Sequence, residues 1–169
     1  MPAQDLSITK GLVTWTQNKV LDSMPVVSLL TVNIYDDKGR VIRTKTRNFT
    51  GGIDVTTTQY SWAGWPLVVV QKQEEKKGTT TQTSVVVTKM TYDDLGRGVR
   101  TEQKQSNSNV TGGMTNYAIL SEVQYNVLGQ VEKRDMGRRR SSATTYTTTA
   151  LESQEYDYNI RGWLLGLCR

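Results

Sequence analysis

Few residues in this chain are equipped for chemistry. Histidine is absent, which removes the commonest general base, proton shuttle and metal ligand. The single cysteine, Cys168, has no histidine to activate it and no second thiol to pair with, so neither a catalytic thiol nor an internal disulfide framework is expected. Two carboxylate pairs, Asp36-Asp37 and Asp93-Asp94, are of the type that binds calcium or moves protons. Adjacent residues of a turn point different ways, however, and the first Asp of each pair is suited to capping the turn itself. Arg138-Arg139-Arg140, with Lys133 and Arg134 nearby, is the densest positive patch. A short arginine run without repeated basic and aromatic faces reads as a solvated loop rather than a nucleic-acid groove. Trp62 and Trp65 are the candidate glycan contacts, because flat aromatic faces stack on sugar rings. The same rings also bridge neighbouring hairpins. The expectation is a protein that is not an enzyme, with no cofactor and no metal.

The elements that would carry these residues declare themselves by repetition. Tyr35-Asp36-Asp37-Lys38-Gly39-Arg40 recurs at Tyr92-Asp93-Asp94-Leu95-Gly96-Arg97. Looser copies begin at Tyr60 (Gly64), Tyr125 (Gly129) and Tyr158 (Gly162), so five tyrosines each stand four residues before a glycine, at intervals of 25, 32, 33 and 33 residues. An Asp or Asn after the Tyr can hydrogen-bond its own backbone two residues on, and the Gly supplies the positive φ of a turn with a bulge. Each copy is therefore the tip of a β-hairpin, with turns near 36–39, 61–64, 93–96, 126–129 and 159–162. A fixed turn length fixes the strand register, so the tyrosines should fall at equivalent places.

Composition agrees with a wet sheet better than with a packed sandwich. The 169 residues are 36% hydrophobic, and threonine clusters at 56–58, 79–81 and 144–149. Threonine is β-branched and half polar. The net charge of +5 comes from 21 basic and 16 acidic residues spread along the chain, a weak pointer to any acidic partner. No signal peptide begins the sequence, and no apolar run reaches the ~18 residues a membrane helix needs. The closing run Leu164 to Arg169 looks like the start of an outgoing strand without its continuation, which suggests a piece of a longer polypeptide or a truncated product.

Along the chain, residues 1–10 read as a lead-in and 11–169 as the repeat region. Residues 11–16 and 19–21 read as two short strands with a turn at Gln17-Asn18. The five hairpins pair 26–35 with 41–47, 53–60 with 67–72, 83–92 with 99–104, 117–125 with 131–134, and 146–158 with 163–167. Asn48 to Gly52 is a break, Glu74 to Gly78 a charged turn, and Gly137 to Ser142 an exposed loop. Pro66 predicts a bulge or an unpaired position at the start of its strand. Asn48-Phe49-Thr50 and Asn109-Val110-Thr111 fit the glycosylation sequon in predicted loops. The fold class is all-β: an antiparallel meander of about ten strands, forming a curved sheet or partial shell.

Tyr-Asp-x-x-Gly-Arg, complete at Tyr35 to Arg40 and at Tyr92 to Arg97, resembles the YD-repeat signature of the Rhs family. Tyr156 to Leu164 is similar to a segment found just upstream of the conserved core of bacterial Rhs proteins. The resemblance covers roughly residues 11 to 169. It implies a sheet that, in full-length relatives, winds as a spiral strip into a hollow shell. In Rhs toxins and related toxin complexes the shell encloses a C-terminal toxic domain; in teneurins it serves adhesion. The partners so implied are the remainder of a larger Rhs polypeptide and an enclosed toxin domain, in a secreted or cell-surface setting. No stretch maps onto the family's self-cleavage region. A carbohydrate-binding or adhesin-like module using Trp62 and Trp65 is the alternative. Nucleic-acid binding and membrane insertion are not expected, whereas unpaired sheet edges predict edge-to-edge self-association.

Overall fold

A computed structural model of the chain describes residues 11–21, 27–110, 117–138, 147 and 149–168. The lead-in at 1–10, Val26 at the start of the first incoming strand, Thr111 of the second sequon, and Arg139 and Arg140 lie outside them. Eleven strands run in sequence order: β1 (Trp15–Lys19), β2 (Ser28–Tyr35), β3 (Val41–Arg47), β4 (Ile53–Tyr60), β5 (Pro66–Lys77), β6 (Thr80–Tyr92), β7 (Gly98–Asn107), β8 (Ala118–Tyr125), β9 (Val131–Arg138), β10 (Glu152–Tyr158) and β11 (Leu164–Cys168). Each pairs with its sequence neighbour, so the sheet is an all-β antiparallel meander in the order β1 to β11. No helix occurs among the described residues. The chain divides into two compact units, Met1–Val87 with Gln105–Gly113, and Thr88–Lys104 with Met114–Arg169.

The five signature segments join β2 to β3, β4 to β5, β6 to β7, β8 to β9 and β10 to β11. At every reversal the pattern is the same. The residue after the Tyr accepts from the glycine amide and donates to the carbonyl one residue past it, as in Gly39 N to Asp36 O (3.1 Å) and Asp36 N to Arg40 O (3.0 Å). Gly39, Gly64, Gly96, Gly129 and Gly162 all have φ between 72° and 95°, which side-chain-bearing residues avoid. The third residue past the glycine, Ile42, Leu67, Glu132 or Leu165, is the extra one in the outgoing strand, and the register shifts by one at Ile34/Tyr35, Gln59/Tyr60, Gln124/Tyr125 and Asp157/Tyr158. The bulge beside Pro66 is thus a property of the turn. It appears equally where no proline follows.

Several boundaries differ from the sequence expectation. β1 runs unbroken through Gln17-Asn18, because those residues pair with Leu30 and Leu29 and have no reason to turn. β5 continues through Glu74 to Lys77, and the reversal is made at Gly78-Thr79, where Gly78 has φ 62°. Charge along 74–77 marks a solvated strand face, not a bend. Gly137 and Arg138 belong to β9, and Arg138 is drawn in by carboxylates on two strands.

Very little is buried. Among the described residues only Tyr35, Ile42 and Ile119 form an apolar core, with Asp36 and Asp135 the buried acids. In the first unit, paired hydroxyl and amide groups fill the place of hydrocarbon: Thr31 Oγ1 and Thr46 Oγ1 are 3.2 Å apart, and Thr44 Oγ1 donates to Asn33 Oδ1 at 3.1 Å. One face there forms a groove of about 560 Å³ lined by Ile53, Val55, Val68 and Val70, with Arg43 and Lys72 also on it. In the second unit a comparable face is ionic. Glu122 stands opposite Asp135 across β8 and β9, and Arg138 joins them, 3.0 Å from Glu122 Oε2 and 2.7 Å from Asp135 Oδ2. Backbone pairing and such side-chain ties hold the sheet, since hydrophobic burial is too sparse to do so.

Candidate functional site

The site assembled by the repeats is a splint recurring at each signature hairpin tip. Its first part is local. Asp36 Oδ1 accepts from the amides of Lys38 (3.0 Å) and Arg40 (2.9 Å), while Asp36 Oδ2 accepts from Arg40 Nε (2.7 Å). Asp93 does the same with the Leu95 amide, the Arg97 amide and Arg97 Nε. Burial pushes the Asp36 carboxyl up, but the Arg40 side chain, the two amides and the Arg40 charge outweigh it and hold the carboxyl below its ordinary 3.8. Burial and the Arg97 contacts act on Asp93 in the same opposed way, and its pKa is also lowered. The looser copies substitute chemically equivalent acceptors. Ser61 Oγ takes the Trp65 amide at 3.0 Å, Asn126 Oδ1 the Gln130 amide at 3.0 Å, and Asn159 Oδ1 the Trp163 amide at 2.9 Å. An oxygen two bonds from Cα, or one further out, is what the turn requires.

The second part ties one hairpin to the next. Tyr60 Oη donates to the Val41 carbonyl (3.2 Å), Tyr125 Oη to Gly98 (2.9 Å) and Tyr158 Oη to Val131 (2.9 Å). Each acceptor lies six residues after the preceding signature Tyr. The residue before each acceptor reaches forward to the same neighbour. Arg40 lies 4.9 Å from the Tyr60 ring centroid and donates to the Ser61 carbonyl; Arg97 lies 4.3 Å from the Tyr125 centroid; Gln130 Nε2 donates to the Gly162 carbonyl. Ring and cation attract because the aromatic face is negative. Hydroxyl one way, side chain the other: the two hairpins hold each other reciprocally. Tyr92 is half-buried, with its hydroxyl 3.8 Å from Met90 Sδ, and burial raises its pKa.

Two further elements carry no signature Tyr and escape a tyrosine-based reading. Tyr35 Oη donates to the Val13 carbonyl at 2.7 Å, and Gly11 has φ 80°. Gly11, Leu12 and Val13 therefore occupy the places that Gly39, Arg40 and Val41 hold in the next copy, and Leu12 Cδ1 is the side-chain atom nearest Gly39. The signal was the glycine, 28 residues before Gly39. At the other end of the hairpins, Asn48 builds the same turn: Gly51 N donates to Asn48 O, Asn48 N to Gly52 O, and Gly52 N to Asn48 Oδ1. Its Nδ2 is engaged by Asp54 Oδ1 (3.0 Å) and the Glu74 carbonyl (2.6 Å). The Asn48 sequon thus presents an amide nitrogen already held by two acceptors. Asn-x-x-Gly was its legible mark.

The candidate side chains outside the turns are dispersed. Asp37 and Asp94 are exposed and do not join their capping neighbours in a shared site. Among the described residues no group of three or more His, Cys, Asp or Glu is placed to hold a metal ion. Trp62 is 87% exposed, with Lys38 Nζ 3.5 Å from its ring centroid and donating to its carbonyl, whereas Trp65 is half-buried. The two rings therefore differ in what they can offer a ligand. Fold and site together define an all-β repeat protein in which hairpins are clasped to a neighbour at Tyr60, Tyr125 and Tyr158. The sequence matches no protein-family model, and no curated protein aligns with it.

Proposed function

We propose that this chain is non-enzymatic wall material: a YD-repeat segment of an Rhs-type shell that encloses a C-terminal toxin domain or presents a surface for adhesion, in a secreted or cell-surface protein. The observation that carries the reading is the reciprocal clasp between successive hairpins, repeated with the same atoms at Tyr60, Tyr125 and Tyr158. A catalytic domain concentrates unusual groups in one cleft. Here the distinctive groups are spread at regular intervals and are satisfied by one another, which suits a strip that must be extended and strong. The test is electron microscopy and protease challenge of the polypeptide encoded by the surrounding reading frame. A closed shell with a protease-resistant interior segment is expected. A frame that adds no further repeats, or equal cleavage inside and out, overturns the reading.

The exposure of Trp62 favours a second reading, glycan binding at the hairpin tip. A glycan titration in which binding is lost on Trp62→Ala while the fold persists supports it, and no saturable binding removes it.

A further inference from the structure

The groove of the first unit is built from alternate residues on one face of β3, β4 and β5. The register lays them out in rows: Arg43 opposite Thr57 and Thr57 opposite Val70, then Lys45 opposite Val55 and Val55 opposite Lys72. Ile53, Val55, Val70 and Val68 form an apolar floor along β4 and β5, and the cations stand beside it. At about 560 Å³ the groove is within the range of a single small ligand, ~300–1,000 Å³. Arg43, Lys45 and Lys72 line it against one carboxylate, Glu74. That carboxylate is already committed, with Oε1 2.7 Å from Lys72 Nζ and Oε2 3.4 Å from the Ile53 amide nitrogen.

The second unit shows what the first lacks. Arg43 and Arg100 each stand eight residues after a signature Tyr, and Thr57 and Glu122 each stand three before the next one, so the pair Arg43 and Thr57 corresponds to the pair Arg100 and Glu122. Arg100 Nε is 3.8 Å from Glu122 Oε1, and Arg100 Nη2 is 3.0 Å from Glu102 Oε1. In the first unit the places of Glu102, Glu122 and Asp135 are taken by Lys45, Thr57 and Val70. Arg43 Nε is accordingly buried without a hydrogen-bond partner, and among the described residues no carboxylate stands at ion-pair distance from Arg43 or Lys45. A buried donor left unpaired is costly, so an acceptor brought from outside is favoured there.

We propose that this groove binds a single-chain anionic amphiphile, an unbranched alkyl carboxylate. Its carboxylate lies between Arg43 and Lys45, where the other copy places Glu122 and Glu102, and its chain lies over Val55, Val70 and Val68. The guanidinium fork matches a carboxylate, so charge sets the sign of the head group. The apolar floor sets the preference for a long chain. The site uses side chains on the strand faces and leaves the clasps at the hairpin tips untouched, so it adds a binding activity to the wall-building role.

The experiment titrates the full chain, with carbon-13-labelled valine and isoleucine methyl groups, with sodium dodecanoate below its micelle concentration and follows the methyl signals by NMR. Saturable shifts at Val55, Val68 and Val70 are expected. Sodium octanoate should bind about tenfold more weakly, because an open groove buries the missing methylenes only in part. Dodecyltrimethylammonium should not bind. Arg43→Gln should weaken dodecanoate about tenfold, the loss of a charge-assisted hydrogen bond. Thr57→Glu gives Arg43 the partner that Arg100 has, and should abolish dodecanoate binding at an undiminished thermal midpoint, which separates loss of the site from loss of the fold. Equal binding of the two dodecyl probes, unchanged affinity in Arg43→Gln, or shifts that never saturate overturn the proposal. So do methyl shifts that follow protein concentration alone, which assign the face to a second copy of the chain, and saturable shifts with an acetylated Val-Glu-Val-Glu-Val peptide but none with dodecanoate, which assign it to a peptide segment.

Discussion

The Tyr125 hydroxyl donates to the Gly98 carbonyl at 2.9 Å, 27 residues back in the chain, while Arg97, beside Gly98, covers the Tyr125 ring. These contacts join β7 to β8 where β7 leaves its turn and β8 enters the next. Tyr125→Phe keeps the ring under Arg97 and removes the hydrogen bond. A loss of about 1 kcal/mol in urea unfolding is expected. Tyr125→Ala removes both and should cost more than the Phe variant, and equal losses would show that the ring contact contributes nothing.

Glycine at the tips is required by conformation at some positions and by space at another. Gly78 has φ 62° with no atom near its missing Cβ, so Gly78→Ala should cost about 1 kcal/mol. Gly52 is buried against β5, and an added Cβ would collide with the Glu74 carbonyl. Gly52→Ala should therefore cost about 3 kcal/mol. Chemical denaturation of the two variants side by side checks the order.

Arg138 lies between two carboxylates that face each other across β8 and β9. Arg138→Ala leaves Glu122 and Asp135 opposed without a shared cation. At neutral pH the loss should be about 1–3 kcal/mol, discounted for the partial exposure of the arginine. It should narrow as the pH falls and one acid is protonated. A deficit independent of pH would exclude the repulsion as its cause.

Acid stability follows from the lowered carboxyls. The Ser153 hydroxyl holds Asp135 down against the opposing effect of burial, with Arg138 and Lys133 adding to it, and Asp36 and Asp93 are held down by their turn partners. A carboxylate whose folded pKa lies below its unfolded value contributes stability that is complete above the unfolded value, ordinarily 3.8 for Asp, and is lost as the pH falls through the folded one. Thermal midpoints should therefore be insensitive to these groups above pH 5 and fall below about pH 4. Asp36→Asn should flatten that fall.

Asn48→Asp tests the far-end turn. The aspartate keeps the acceptor for the Gly52 amide but replaces the donor to Asp54 with a second negative charge. Destabilisation at neutral pH that shrinks in acid is expected from circular dichroism melts.

What the sequence determined is local: the five tips, their glycines and the strands meeting at them, because a turn is closed by groups within four residues of one another. Asp36 caps Arg40 whatever surrounds it, and Ser61, Asn126 and Asn159 can be read as equivalents from their oxygens. The tertiary structure decided the long-range choices. Residues 19 to 27 apart in the chain meet in the clasps of Tyr60, Tyr125 and Tyr158, and no local pattern states which carbonyl a hydroxyl will reach. Gly11 and Leu12 take part without a tyrosine because Tyr35 supplies the hydroxyl from the next strand. Arg138 sits in a strand instead of a loop because its partners, Glu122 and Asp135, are brought to it by pairing.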